Sequence, residues 1–338
     1  MIKMDHITLG STGITVNKNG FGALPIQRIS EDEAVYLLRK AYDNGITFFD
    51  SARGYTDSEK KIGIALSGVR DKIVIATKTF AGDAKTFWEQ LNISLEMLKT
   101  NYIDIYQFHN PSPVPRPGDG SGVYEAMLEA KAQGKIKHIG ITCHRLDRAI
   151  EAAESGLYET IQYPVSYLSS EKELDFVKLC SQKNIGILAM KALSGGLITE
   201  SAAAYAFLAQ FNNLIPIWGV QRESELDEFI SYQNEPPSLD DNAMNVIKRD
   251  IAELGGDFCR GCGYCLPCPV DIPVPIAARM SLLIKRAPKS FFFSDQWKES
   301  MPRVENCTEC GHCKEHCPYG LDAPKLIREN WEEYKKLL

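Results

Sequence analysis

The chain has 338 residues, of which 44% are hydrophobic and 24% charged, with a formal net charge of −6. That suffices for one large domain and a small one, and the acidic balance argues against nucleic acid or an anionic membrane surface as a partner. No run of 18 apolar residues would make a membrane span, and the start Met1-Ile2-Lys3-Met4-Asp5-His6 lacks a signal peptide's apolar core, so a cytoplasmic location is expected.

Residues 3–18 alternate loosely around Gly10-Ser11-Thr12-Gly13, which predicts an entry hairpin. Gly20-Phe21-Gly22-Ala23-Leu24 is the first candidate strand. Ser30-Glu31-Asp32-Glu33 has the spacing of a capping box and opens a helix with apolar Ala34, Leu37, Leu38 and Ala41. A short apolar run, Ile46-Thr47-Phe48-Phe49, then ends on Asp50, with a Gly-containing turn and Tyr55 beyond it. From there the alternation repeats. Strands are expected to end near Gly22, Asp50, Lys78, Phe108, Thr142, Tyr163, Met190 and Gly219. Helical patterns lie between them at Ser58–Leu66, Thr86–Lys99, Val123–Gln133, Leu146–Glu154, Glu171–Gln182 and Ala202–Gln210, and a last one at Ser224–Tyr232 follows the eighth strand.

Eight strands, each followed by a helix, predict a closed parallel (β/α)8 barrel of the TIM type. An open doubly wound sheet is the alternative, but it wants a Gly-rich fingerprint after its first strand, and none is present. The connection Asn110–Gly122 holds four prolines, which exclude a helix and suggest a substrate loop. The pattern stops near Glu235-Pro236-Pro237-Ser238, which puts the domain boundary at about 240: residues 1–240 form the barrel and 241–338 a second domain. Residues 241–338 carry equal numbers of basic and acidic side chains, so the charge excess lies in the first domain. Helices are expected at Ala243–Leu254, Val274–Lys285 and Ala323–Leu337.

Three polar residues end three strands: Asp50, Lys78 and His109. In a closed barrel those ends converge on one mouth, and Tyr55 reaches it from the turn after Asp50. Each has a bland reading, since Asp50 suits a helix N-cap, Tyr55 packs, and a lone histidine is often satisfied in a core. Together they suit carbonyl reduction. A ketone receiving hydride needs a proton on its oxygen, and a phenol donates poorly near neutrality unless an ammonium stabilises the phenolate. Lys78 would lower the Tyr55 pKa, Asp50 would hold Lys78 charged, and His109 would orient the carbonyl.

Asp50-Ser51-Ala52-Arg53-Gly54-Tyr55, Ala76-Thr77-Lys78 and Asp104-Ile105-Tyr106-Gln107-Phe108-His109 resemble the aldo-keto reductase motifs over about residues 6–234, with all four members of the catalytic tetrad matched. The resemblance implies a barrel oxidoreductase using NADP or NAD, with Tyr55 as general acid. It also implies cofactor contacts at Gly22, Thr142, Cys143, Gln162, Met190, Lys191, Gly219, Gln221 and Arg222. Thr142-Cys143 stands where the family has Ser-Asn, so a hydroxyl is kept and an amide lost. Met190 replaces a stacking aromatic. Gly219 replaces a common lysine and Glu225 falls where an arginine is common, which leaves Arg222 as the nearby cation and NAD as well as NADP open.

Eight of the ten cysteines crowd into Cys259–Cys317. The runs are Cys259-x2-Cys262-x2-Cys265-x2-Cys268-Pro269 and Cys307-x2-Cys310-x2-Cys313-x3-Cys317-Pro318. The second is the bacterial 4Fe–4S ferredoxin spacing and the first is one residue short. Zinc is the alternative, but its sites use two separated cysteine pairs. Two clusters and a small, mainly helical, ferredoxin-like domain are therefore expected. By resemblance to two-cluster ferredoxins, Cys259, Cys262, Cys265 and Cys317 would hold one cluster, and Cys307, Cys310, Cys313 and Cys268 the other. Cys180 reads as core packing. A barrel followed by this module is similar to the branch of the aldo-keto reductases with a C-terminal 4Fe–4S domain.

Three functions stay in view. The first is a carbonyl reductase whose clusters exchange electrons with a redox protein partner. The second is a non-enzymatic redox sensor or electron carrier that uses the barrel as a ligand scaffold. The third is a plain reductase whose clusters only brace the fold. A flavin in the barrel mouth would split hydride into single electrons, although no flavin motif is visible.

Overall fold

The structure, a computed structural model, describes residues 6–254, 258–286 and 289–338. It divides into two compact units. One takes the chain up to Ala192 together with Tyr205–Leu239, and the other takes Leu193–Ala204 with Asp240–Leu338. The second unit thus includes a segment that a single cut at residue 240 leaves with the barrel.

The first unit begins with a hairpin of β1 (His6–Thr8) and β2 (Thr15–Asn17), antiparallel with Ile7 opposite Val16. Residues 3–5 of the expected hairpin lie outside the described residues. The chain then runs β3 (Gly20–Gly22), α1 (Glu31–Asp43), β4 (Phe48–Asp50), α2 (Ser58–Leu66), β5 (Val74–Thr79), α3 (Ala84–Met97), β6 (Ile103–His109) and α4 (Val123–Ala132). It continues with β7 (Ile136–Thr142), α5 (Leu146–Ser155), β8 (Thr160–Pro164), α6 (Glu171–Gln182), β9 (Gly186–Met190), α7 (Ser201–Leu208), β10 (Leu214–Gly219) and α8 (Glu223–Asn234). Strands β3 to β10 pair in parallel, and β10 returns to β3, which closes the barrel. Five strands end where the sequence puts them, and β5, β6 and β8 run one residue further, to Thr79, His109 and Pro164. The capping box at α1 forms: Ser30 Oγ accepts from the Glu33 amide at 3.3 Å, and Glu33 accepts from the Ser30 amide at 3.0 Å. Ser170 and Glu173 repeat the device at α6.

Register decides which side chains face the barrel axis. Asp50 lies opposite Ala76, Lys78 opposite Gln107, His109 opposite Thr142, and Thr142 opposite Gln162. Paired residues share a face, and so do residues two apart on one strand. Asp50, Lys78, Gln107, His109, Thr142 and Gln162 therefore all point inward. Below them the same face carries Phe48, Ala76, Ile105, Leu188, Ile215 and Ile217, and Ile7, Leu9 and Val16 from the hairpin region complete this buried cluster. Gly10 bridges Ile185 just before β9, so the hairpin closes the N-terminal end of the barrel and leaves the C-terminal end for polar groups. Gly140 makes room inside: a Cβ there would lie 2.9 Å from Gln107 Cγ and 2.5 Å from Thr160 Oγ1.

The second unit is helical. It contains α9 (Asp241–Leu254), α10 (Val274–Ala277), α11 (Met280–Arg286), α12 (Lys289–Phe292), α13 (Asp295–Ser300), α14 (His312–Glu315) and α15 (Ala323–Lys335). The helix expected over Val274–Lys285 is broken at Ala278 and Arg279. The Pro275 carbonyl that would accept the Arg279 amide in a continuous helix accepts the Arg279 side chain instead, from Nε at 3.0 Å, and the amide turns to the Ile276 carbonyl at 3.1 Å. On α15 the buried residues Ile327, Asn330, Trp331 and Tyr334 recur at helical spacing, after an Asp322 cap and Pro324 in the first turn. Among the described residues, no helix is long and apolar enough to cross a membrane.

Candidate active site and cysteine centre

The polar end of the barrel is built around Lys78. Its side chain is fully buried, and Nζ donates to both Asp50 oxygens at 2.8 Å and to the Ser51 carbonyl. Gln162 Nε2 also reaches Asp50, at 3.4 Å, and Gln162 Oε1 accepts from Gln107 Nε2 at 3.0 Å and from Thr142 Oγ1 at 3.4 Å. The turn after β4 is tied to β5 by the Arg53 amide, which donates to the Lys78 carbonyl at 3.0 Å, and this holds Tyr55 over the pair. Lys78 Nζ stands 5.1 Å from the centre of the Tyr55 ring. His109 meets Tyr55 edge to face, with ring centres 5.9 Å apart. The four residues singled out in the sequence thus converge.

Electrostatics at the site follow from burial. Burial raises the Asp50 carboxyl and lowers the Lys78 ammonium, and the attraction between the two charges opposes both shifts. The expectation that Lys78 lowers the Tyr55 pKa is not met in this state. Burial and the Asp50 carboxylate push the phenol above its ordinary value of 10. The reason is geometric: Asp50 lies 2.8 Å from Lys78, so the pair presents a dipole rather than a net positive charge. Burial and the Lys78 charge also drive His109 well below its ordinary 6.5, so the ring is neutral near pH 7, and among the described residues its buried Nδ1 has no hydrogen-bond partner.

Two neighbours went unnoticed in the sequence. Phe80 stacks on His109 at 4.1 Å while staying 52% exposed, and a Cβ on Gly54 would strike its ring at 2.4 Å. Gln107 links Gln162 to the inner face. Both sit an even number of positions from Lys78 or His109, and that parity was the available signal.

In the second unit the eight clustered thiols line two concavities. One is lined by Cys259, Cys262, Cys265, Cys313 and Cys317. The other is lined by Cys307, Cys310, Cys313, Cys268 and Cys265. Burial and the Cys259 and Cys262 thiolates push Cys265 up to about 12. Burial and the thiolates of Cys307, Cys310 and Cys268 likewise raise Cys313. Among the described residues, no three His, Cys, Asp or Glu side chains gather closely enough for a single metal ion.

Residues 15–204, more than half of the chain, match the model of the aldo/keto reductase family. The chain belongs to the aldo/keto reductase family. Residues 258–322 of this reductase match the 4Fe-4S dicluster domain. It is 31% identical over 219 residues to L-galactose dehydrogenase of Arabidopsis thaliana, covering 59% of this chain and 69% of that one. It is 29% identical over 216 residues to an aldo-keto reductase of Bacillus subtilis, covering 58% of this chain and 64% of the relative, just under two thirds. A solved aldo-keto reductase from Bacillus halodurans, in its holo form, superposes with a TM-score of 0.65 at 20% identity over 73% of this chain and 96% of that one, which shows the fold.

The reductase places the remaining residues of the expected cofactor set unevenly. Gly22, Thr142, Met190 and Gly219 end β3, β7, β9 and β10, with Lys191 next to Met190 in a left-handed backbone conformation at φ 56°. Gln162 faces the axis but is engaged with Asp50, Gln107 and Thr142. Cys143 is buried, its amide donates to the Gln162 carbonyl at 2.9 Å, and burial pushes its thiol up to about 12, so it presents neither an amide nor a thiolate to the mouth. Burial holds Cys180 at about 12 too, as a core thiol. Arg222 is not a spare cation: its guanidinium donates to Glu225 at 2.9 and 2.5 Å. Glu225 also accepts the backbone amides of Gln221 and Arg222 at 3.0 and 3.1 Å, so a carboxylate caps the start of α8.

Proposed function

We propose that this reductase converts an aldehyde or ketone to an alcohol with NADH or NADPH at the barrel mouth, and that residues 241–338 hold two 4Fe–4S clusters that exchange electrons with a redox protein. The buried, chelated Lys78 beneath the Tyr55 ring, with His109 at its edge, carries the reading. The nicotinamide, when bound, supplies the hydride to the carbonyl carbon. Tyr55 gives its proton to the carbonyl oxygen. Its raised pKa keeps that proton in place until the oxygen becomes basic, and Lys78 then stabilises the phenolate until solvent reprotonates it. Asp50 keeps Lys78 protonated and fixed. Neutral His109, at the edge of the Tyr55 ring, hydrogen-bonds the carbonyl oxygen and orients it.

The polar ends of β7 and β8 suit a nicotinamide amide through Thr142 and Gln162, and Met190 offers an apolar face. NADH is the better fit. Glu225 already fills the positive end of α8, where a second anion would meet repulsion. The two thiol-lined concavities suit two cuboidal clusters with the fourth cysteine exchanged between runs. Cys317 lines the concavity of the Cys259 run, and Cys268 that of the Cys307 run.

The test is an anaerobic titration of iron-loaded protein with NADH and then NADPH, followed by EPR and a carbonyl screen on wild type and Tyr55→Phe. The expected result is reduction of a carbonyl that the variant loses by roughly 10²–10⁴-fold, with cluster bleaching by NADH. Full turnover by Tyr55→Phe would overturn the mechanism. Signalling or electron carriage unaffected by the variant, with no turnover in wild type, would favour the sensor reading.

A further inference from the structure

Arg279 is a buried cation with no acid beside it among the described residues. It sits at the break between α10 and α11, 8% exposed. Its Nε donates to the Pro275 carbonyl at 3.0 Å and its Nη1 to the Gly195 carbonyl at 2.9 Å. Among the described residues, no carboxylate forms an ion pair with it. Removing a guanidinium from water without an anionic partner costs several kcal/mol, so a fold that builds such a site does so against a negative charge.

The geometry says where that charge lies. The guanidinium approaches the backbone at Gly261, between Cys259 and Cys262. A Cβ added to Gly261, which adopts φ 64°, would fall 2.7 Å from Nη2 and 2.8 Å from Cζ. A Cβ on Gly195, at φ 68°, would fall 2.7 Å from Nη1. Both positions thus need a glycine, for backbone conformation and for the approach of the guanidinium. Cys259 Sγ lies 3.6 Å from the same Pro275 carbonyl that holds Nε, and accepts the Gly261 amide at 3.4 Å. The thiolates of Cys259 and Cys262 are the negative groups that Arg279 feels, against the effect of its burial. The cysteines of the second run have a different neighbour. Arg328 approaches Cys307 but is exposed, and it is paired with Glu309 at 2.5 Å, so water and a carboxylate screen it.

We propose that Arg279 is a potential-setting residue: its unscreened charge, locked over Gly261, favours the reduced form of the cluster held by Cys259, Cys262 and Cys265, and of that cluster alone. The inference rests on the two-cluster reading above. Adding an electron makes a thiolate-bound cluster more negative, so a fixed buried cation stabilises the reduced state more than the oxidised one.

The experiment is a redox titration of the iron-loaded full chain, monitored by EPR, on wild type, Arg279→Gln and Arg328→Gln. Wild type lacking two cluster signals would refute the two-cluster reading itself, before any variant is compared. With both present, Arg279→Gln should lower the reduced-to-oxidised ratio of one cluster at least tenfold at a set potential, a midpoint shift of about 59 mV. The other cluster should stay put, and Arg328→Gln should shift neither by that much. Unmoved midpoints in Arg279→Gln, or equal shifts of both clusters, would overturn the proposal. If Arg279→Gln does not retain iron, two further variants decide. Arg279→Lys keeps the charge and should hold the wild-type midpoint, whereas Gly195→Ala displaces the guanidinium and should lower it. A wild-type midpoint in iron-replete Gly195→Ala would equally overturn it.

Discussion

The pair Asp50–Lys78 gives the sharpest test of the barrel's chemistry, because stability and activity should part company there. Asp50→Asn leaves a fully buried ammonium with the Ser51 carbonyl as its remaining strong acceptor. Breaking a buried pair from one side costs about 3–5 kcal/mol. For a unit of this size each kcal/mol moves the melting temperature by about 2–4 °C, so the barrel transition should fall by roughly 6–20 °C. Lys78→Met should do similar damage, because it strands Asp50 with the long 3.4 Å contact from Gln162. The double variant Asp50→Asn/Lys78→Met removes both charges together and leaves no uncompensated ion. Its melting temperature should return close to wild type, which makes the coupling the sum of the two single losses, about 6–10 kcal/mol. Activity should not return: Lys78→Met and the double variant lose the ammonium that holds the Tyr55 phenolate, Asp50→Asn loses the carboxylate that keeps that ammonium charged and in place, and kcat/KM should fall by roughly 10²–10⁴ in each. Calorimetry resolves the barrel transition, and initial rates with a reducible aldehyde give kcat/KM. Additive losses of stability, or restored turnover in the double variant, would refute the reasoning.

The remaining predictions concern protons, cofactor choice and iron. His109 has a folded-state pKa below its ordinary 6.5, so the unfolded chain binds the extra proton first; stability should be full above about pH 6.5 and fall as pH drops below it, by at most about 1.4 kcal/mol per pH unit. Urea titrations of wild type and His109→Gln between pH 5 and 7 should show this slope in the first and a flatter one in the second, with equal slopes contradicting it. Glu225→Ser should uncap Arg222 and raise the NADPH-to-NADH ratio of kcat/KM about tenfold, one charge contact's worth; an unchanged ratio would mean that α8 does not meet the cofactor's adenosine end. Cys317→Ala should disturb the cluster of the Cys259 run, and Cys268→Ala that of the Cys307 run, as read from iron content and EPR; the reverse assignment would rule out the exchange of fourth ligands.

Most of the barrel was legible because two periodicities write it. Strand ends such as Asp50 and Thr142 could be placed from apolar runs cut short by polar residues, and Ser30-x-x-Glu33 marked a helix start by a reciprocal hydrogen bond that needs only those two residues. The convergence of Asp50, Lys78 and His109 followed from closure alone. What the sequence did not carry was the state of the charges. Whether Lys78 acts on Tyr55 as an ammonium or as half of a dipole depends on a 2.8 Å contact across two strands, and nothing in the spacing of residues 50 and 78 reports it. Arg222 was misleading for a similar reason, since its partner Glu225 was read as a substitution rather than as a cap. The break at Arg279 was invisible to helical periodicity, because Ala277, Ala278 and Met280 fit an unbroken helix and the cause is a side chain that takes its own helix's carbonyl.

The two units treat a buried cation in opposite ways, and the contrast separates their chemistries. In the barrel, Lys78 is chelated by a carboxylate, so its field is short-ranged and falls on its immediate neighbours, the Tyr55 ring and His109. That suits a proton transfer, where the charge must act locally. Among the described residues Arg279 has carbonyls as partners and no acid, so its monopole is uncancelled in a low-dielectric surround. A monopole acts on total charge, and total charge is what changes when a cluster takes an electron. On the proposed function, the fold therefore places a dipole where a proton would move and, among the described residues, a cation without an acid partner beside the thiolates where an electron would rest. A carboxylate introduced next to Arg279 would turn the second arrangement into the first and should silence its effect on potential.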